Sequence, residues 1–365
     1  MRTTNFYDAF DDVMIKFGTA ESIDNPIMTS IIATSIDNES QSSWQQQLAN
    51  LITDSQQLID YLQLPQSYRA SIDAAIEAFP LRVPMAFLQR INKGDPHDPL
   101  LKQVLPLDTE LNSHPHYSLD PLQELNANPV PGIIHKYHGR VLLMPTRACA
   151  IHCRYCFRRH FPYDDNTPSR QEWQKSLNYL REDPTIEEVI LSGGDPLAAS
   201  DRQLEWLCQQ ISDIPHIKRL RIHSRLPIVL PDRIDENFLR WSSASRLQMI
   251  MVVHSNHAQE IDQHVGLALN KMQQNGFIIF NQTVLLRDIN NNLNILSALS
   301  KRLIETGVIP YYLHLLDKVQ GAEHFDINRD EAIELHRQLR DTLPGYMVPR
   351  LVQELAGEGS KTLIR

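Results

Sequence analysis

Cysteine is scarce in this chain: four of 365 residues, three of which, Cys149, Cys153 and Cys156, fall within eight positions. So few thiols, so clustered, exclude a disulfide framework and point to a metal or iron–sulfur site in a reducing, cytoplasmic setting. Positive charge is not in excess either. The net charge is −9, with acids and bases interspersed, so the chain has no bulk field for nucleic acid. No apolar run approaches the ~20 residues that cross a bilayer. The start, "MRTTNFYDAFDDVMIKFG", has Asp8, Asp11 and Asp12 where a secretory signal needs an unbroken apolar core, so export is not expected. The fifteen histidines include no i,i+4 pair flanking a glutamate, so a second metal site is not indicated.

What is present has two rhythms. Residues 1 to about 30 carry little pattern and read as a loose leader, with "DAFDDV" as a solvated acidic face. Apolar residues at 44, 48, 51, 52, 58, 59 and 62 have helical spacing, and more helix is expected through "YRASIDAAIEAFP" and "PMAFLQRIN". Residues 1–130 thus predict a mostly helical N-terminal subdomain. From Arg140, short apolar or β-branched runs alternate with amphipathic stretches. Strands are predicted at 141–146, 188–193, 219–224, 247–255, 277–286 and 308–317, each followed by a helix. Six βα units predict an α/β fold over 131–345, with parallel strands in an open sheet or partial barrel. The strand runs are nearly continuous in apolar character, as expected of strands covered on both faces. Residues 346–365 form a separate C-terminal segment. Cys208 lies on an apolar helical stripe with Leu204, Leu207 and Ile211 and is assigned to the core.

In parallel α/β folds chemistry gathers at the carboxyl ends of strands, which is where the cysteines fall. Cys149-x3-Cys153-x2-Cys156 admits two readings. Tetrahedral zinc would take a fourth ligand from His152 or His160, although a second knuckle is lacking. A [4Fe–4S] cluster on three thiolates would leave one iron open to a small molecule. "LSGGDPL" ends the second strand, where Gly193 and Gly194 would let backbone approach a ligand and Asp195 would add an anionic acceptor. Ser224, Arg225, His254 and Gln282 sit at the ends of strands three to five, within reach of a ligand there.

The cysteine spacing on a post-strand loop resembles the radical S-adenosylmethionine enzymes. The likeness extends from about residue 92 to 363, to the lysine 2,3-aminomutase family, through "HKYHGRVLLMPTRACAIHCRYCFRRHF", "LSGGDPL", "RIHSRLPIVLPDRI", "NQTVLLRDIN", "PYYLHLLDKVQGAEHF" and "GEGSKT". The resemblance implies a partial (β/α)6 barrel of parallel strands, the radical S-adenosylmethionine core. It implies an isomerase that moves the α-amino group of L-lysine to the β-carbon through a 5′-deoxyadenosyl radical, assisted by pyridoxal 5′-phosphate (PLP). Cys149, Cys153 and Cys156 would hold the [4Fe–4S] cluster. Gly193, Gly194, Asp195 and Ser224 would serve S-adenosyl-L-methionine, and Lys361 would carry PLP with Tyr137 and Arg140 at its ring and phosphate. Arg158 would take the substrate carboxylate, and Asp317 and Glu354 its distal ammonium.

Several positions depart from the family pattern. Glu354 replaces an aspartate, His314 replaces an aromatic residue near PLP, and Glu358 and Ser360 interrupt a glycine run before Lys361. These departures, and a short C-terminus, resemble the branch that makes β-lysine for modification of translation elongation factor P. That branch implies free lysine as substrate, a flavodoxin- or ferredoxin-type electron donor, and a separate β-lysine ligase. The alternatives are a standalone metabolic lysine enzyme, a glutamate aminomutase, which Asp317 disfavours, and a non-catalytic zinc- or cluster-binding regulator.

Overall fold

The computed structural model describes residues 43–163 and 170–365; the expected leader and its acidic stretch lie outside them. Among the described residues, nine strands form one sheet in strict chain order. β1 (Ile133–Tyr137) and β2 (Arg140–Leu143) make an antiparallel hairpin, whose turn places Gly139 at φ +76°, a conformation glycine adopts without penalty. β3 (Glu188–Leu191), β4 (Arg219–Ser224), β5 (Gln248–His254), β6 (Ile278–Val284), β7 (Ile309–His314) and β8 (Arg350–Gln353) continue in parallel, and β9 (Thr362–Leu363) returns antiparallel on β8.

The six predicted strands are therefore β2 to β7. The structure adds a seventh parallel strand and an antiparallel strand at each edge. β8 is four residues and β9 two, too short for periodicity to register. The strands also differ from the expected two-sided burial. β4 alternates: Leu220, Ile222 and Ser224 are buried, whereas Arg219, Arg221 and His223 are partly open. Only one face lies under the helices. From the other, side chains of all nine strands line a single chamber of about 810 Å³, so the sheet is curled into a partial barrel. Its open seam is bridged by side chains: Lys136 Nζ on β1 lies 3.0 Å from Glu354, just past β8.

The N-terminal helices α1 (Trp44–Ala49), α2 (Ser55–Leu62) and α3 (Arg69–Ala78) start at side-chain caps where the sequence supplies them, Ser43 for α1 and Asp54 for α2. They do not form a separate body. Trp44, Leu58, Ile72 and Phe87 join one apolar core with Leu143, Leu207, Cys208 and Leu220, and the described residues make one compact unit. The boundary expected near residue 130 has no counterpart in the packing.

The segment before the barrel instead forms the outer wall of the cysteine loop. Arg154, fully buried, donates to both oxygens of Glu110 at 2.8 and 2.7 Å and to the Phe79 carbonyl at 2.9 Å. Arg159 reaches the same carboxylate at 2.7 Å. Removing Glu110 strands two buried cations, so Glu110→Ala should destabilise the fold by about 3–5 kcal/mol in equilibrium denaturation. A loss under about 1 kcal/mol would contradict this account of the loop's anchorage.

Candidate functional site

One end of the chamber is the cysteine loop after β2. Cys149, Cys153 and Cys156 all line it, and none is in a disulfide. The loop is seated on the segment after β3. Gly194 N–H donates to the Thr146 carbonyl at 3.2 Å and Asp195 N–H to the Ala148 carbonyl at 2.8 Å. A Cβ on Gly194 would lie 2.6 Å from the Ala148 oxygen, and Gly193 has φ +112° with Met144 against it. These glycines are thus required first by backbone-to-backbone packing, which puts a ligand's approach second.

Asp195 is placed differently from expectation. It accepts hydrogen bonds from Ser224 Oγ at 2.6 Å and from the backbone N–H groups of Arg225, Leu226 and Leu197 at 2.8, 3.0 and 3.1 Å. A carboxylate so engaged ties β3 to β4 and is not a free acceptor. Ser224 is buried behind it and does not line the chamber. Arg225 turns to the cysteines: Nη1 donates to Cys153 Sγ at 2.6 Å, and Nη2 to Gln103 Oε1 and Glu260 Oε2 at 2.6 and 3.1 Å.

Burial, then the neighbouring thiols, push Cys149 well above the usual thiol range and Cys156 to about 11. The donor set fits an iron–sulfur cluster, whose irons displace those protons. Among the described residues no three His, Cys, Asp or Glu side chains converge on one ion. A cubane does not need that convergence, because each thiolate binds its own iron.

A chain of charges leads from Lys361 to this loop. Lys361 Nζ lies 2.6 Å from Glu354 Oε2, Glu354 Oε1 3.0 Å from Lys136, Lys136 3.1 Å from Glu124, and Glu124 grips Arg158 at 2.6 and 2.9 Å. Burial opposes the charges of Glu354 and Glu124, but their lysine and arginine partners outweigh it and hold both carboxyls below the usual range. Asp317 is the contrast. Burial, then Glu354, raises it to about 7, and its Oδ1 is buried without a partner.

Other polar groups face the chamber unpaired. The Nε2 atoms of His223, His254 and His314 are buried without partners, and burial depresses all three rings, His254 to about 4. Gln282 lines the chamber with them. Arg140, stacked on the Tyr137 ring at 4.7 Å, faces it as well, with Arg221 and Arg350. An amine, a cationic floor and orphaned polar atoms fit an aldehyde cofactor with a phosphate tail.

Residues 143–238 match the model of the Radical SAM superfamily. Over 321 residues the chain is 48% identical to an L-lysine 2,3-aminomutase of Haemophilus influenzae, covering 88% of this chain and 95% of that protein. It belongs to the L-lysine 2,3-aminomutase family. An Escherichia coli relative of the same name is 47% identical over 90% of this chain and 96% of its own length, and one from Clostridium subterminale is 34% identical over 87% and 77%. The family consists of isomerases that use a [4Fe–4S] cluster, S-adenosylmethionine and PLP.

Against this lysine aminomutase framework, the structure brings the three cysteines, Gly193, Gly194, Arg158, Tyr137, Arg140, Asp317, Glu354 and Lys361 to one chamber. Two residues of the charge chain escaped the sequence reading. Lys136 had a signal: in "IIHKY" it shares a strand face with Ile134, which alternation turns inward. Glu124 had none, since it sits in a short 3₁₀ turn, Glu124–Ala127.

Proposed function

We propose that this protein converts L-lysine to β-lysine by radical migration of the amino group, and that Lys361 is its PLP anchor. The observation that carries the reading is one chamber lined by three thiols and by the half-buried Lys361, whose Nζ lies 2.6 Å from Glu354. When bound, the cluster with S-adenosylmethionine supplies the hydrogen-abstracting radical, and PLP supplies a π-system that delocalises spin during migration.

This chain's residues bind, orient and exclude solvent. Arg158 offers a planar fork to the substrate carboxylate. Asp317 and Glu354 supply negative charge for the distal ammonium. A glutamate substrate would bring its own carboxylate against them, which disfavours the glutamate enzyme. The half-closed chamber keeps water from a reactive centre. The elongation-factor branch extends the proposal: free lysine as substrate, reduction by a flavodoxin- or ferredoxin-type donor, and cytoplasmic release of product to a β-lysine ligase acting on elongation factor P. Among the described residues, no helix is long and apolar enough to cross a membrane.

Anaerobic reconstitution followed by product chromatography tests the core claim: β-lysine supports it, and a zinc-loaded protein without turnover refutes it. Asp317 predicts a pH dependence. With the carboxyl near pH 7, lower pH neutralises it and removes half of the ammonium site. KM for lysine should therefore rise below pH 7, by up to about tenfold per unit. Asp317→Asn should raise KM at neutral pH and flatten that slope. An unchanged slope would assign the titration elsewhere.

A further inference from the structure

We propose that Glu124 is a positioning residue for the substrate's carboxylate end, clamping one edge of Arg158 so that the other edge is presented to lysine. The inference rests on Arg158 as the carboxylate ligand and explains how so flexible a side chain becomes a fixed fork.

A guanidinium has two edges that can grip a carboxylate: Nε with Nη2, and Nη1 with Nη2. Glu124 takes the first, with Oε2 on Nε at 2.6 Å and Oε1 on Nη2 at 2.9 Å. Nη1 leans on Ser192 Oγ at 3.1 Å and the Gly193 carbonyl at 3.5 Å, in the segment that seats the cysteine loop. On the second edge, in the chamber wall, Nη2 keeps a hydrogen that Glu124 does not take, and a substrate carboxylate would exchange with Ser192 and Gly193 at Nη1. An unclamped arginine would lose rotamer freedom on binding; this one has lost it beforehand.

The clamp is itself braced. Glu124 is only 4% exposed, and Lys136 also holds its Oε1, at 3.1 Å. Lys136 also holds Glu354 at 3.0 Å, so one lysine ties the carboxylate end of the site to the ammonium end. At the carboxylate end Arg158 and Lys136 share Glu124, two cations on one carboxylate. Glu124 thereby compensates Arg158 without discharging the site.

The test is steady-state kinetics of reconstituted holoenzyme with lysine and with lysinamide, which lacks the carboxylate. Arg158→Gln should raise KM for lysine by about 100-fold and abolish the preference for lysine over lysinamide. Glu124→Gln should raise KM about tenfold, with kcat changed less than about threefold, and narrow that preference; Glu124→Asp, which keeps the charge, should recover part of it. Circular dichroism and iron content establish that each variant is folded and loaded. If Glu124→Gln does not fold, the KM and preference of Glu124→Asp decide, and wild-type values in that variant overturn the proposal. An unchanged or lowered KM in folded Glu124→Gln overturns it too, the lowered value marking Glu124 as a resident competitor. An unaltered preference in Arg158→Gln instead removes the carboxylate assignment of Arg158, and the proposal with it.

Discussion

Lys361→Ala is expected to abolish β-lysine formation, by at least about a thousandfold, while leaving the fold and the iron content unchanged. The expectation follows from how Lys361 is held. β9 pairs with β8 through Val352↔Leu363 and Gln353↔Thr362, and Ile364, 4% exposed, donates to the Leu351 carbonyl at 3.0 Å. Lys361 is thus ordered by this edge strand. So fixed, Nζ is 2.6 Å from Glu354 and 5.8 Å from the Tyr312 ring centroid.

Alanine leaves Glu354 with Lys136, so the buried carboxylate keeps a partner. Lys361→Arg is the sharper control. It keeps a cation beside Glu354 but presents no amine for a Schiff base, and it should be as inactive as alanine with PLP no longer retained. Mutase activity within tenfold of wild type in either variant would refute the anchor assignment.

Serine at any one of Cys149, Cys153 or Cys156 should have the second large effect: loss of most bound iron after anaerobic reconstitution, and turnover below detection. The thiols share one chamber wall, and burial holds Cys149 and Cys156 protonated until metal replaces the protons. A hydroxyl does not substitute as a soft ligand, so two thiolates would hold a cluster that needs three. Cys208→Ser is the matched control. Cys208 is 3% exposed within the apolar core, so its change should cost stability of about 1–2 kcal/mol and no iron. Wild-type iron content in the Cys156→Ser protein would remove that residue from the cluster.

Much of this was legible before folding because it is local. The short apolar runs that became β2 to β7, and the helical stripe that buried Cys208, are patterns a few residues long. Three cysteines within one loop declare a shared site whatever surrounds them. The roles of Asp195 and Ser224 were not legible in this way. Both stand where a ligand contact was expected, yet they spend their hydrogen bonds on each other and on the start of the next turn. A motif shows which residues meet at a strand end, not which of them are already satisfied.

By itself the sequence determined the alternation of strand and helix, the cysteine site, and the candidate lysine and carboxylates, since each depends on spacing along the chain or on residue type. Only the tertiary structure decided which charges meet. Lys136 and Glu354 are 218 residues apart, and Arg158 and Glu124 are 34 apart. Those pairs exist because the sheet curls until its two edges nearly touch, and because low-dielectric burial leaves an unpaired charge too costly to keep. Curvature and burial are properties of the whole barrel. No window of the chain contains them.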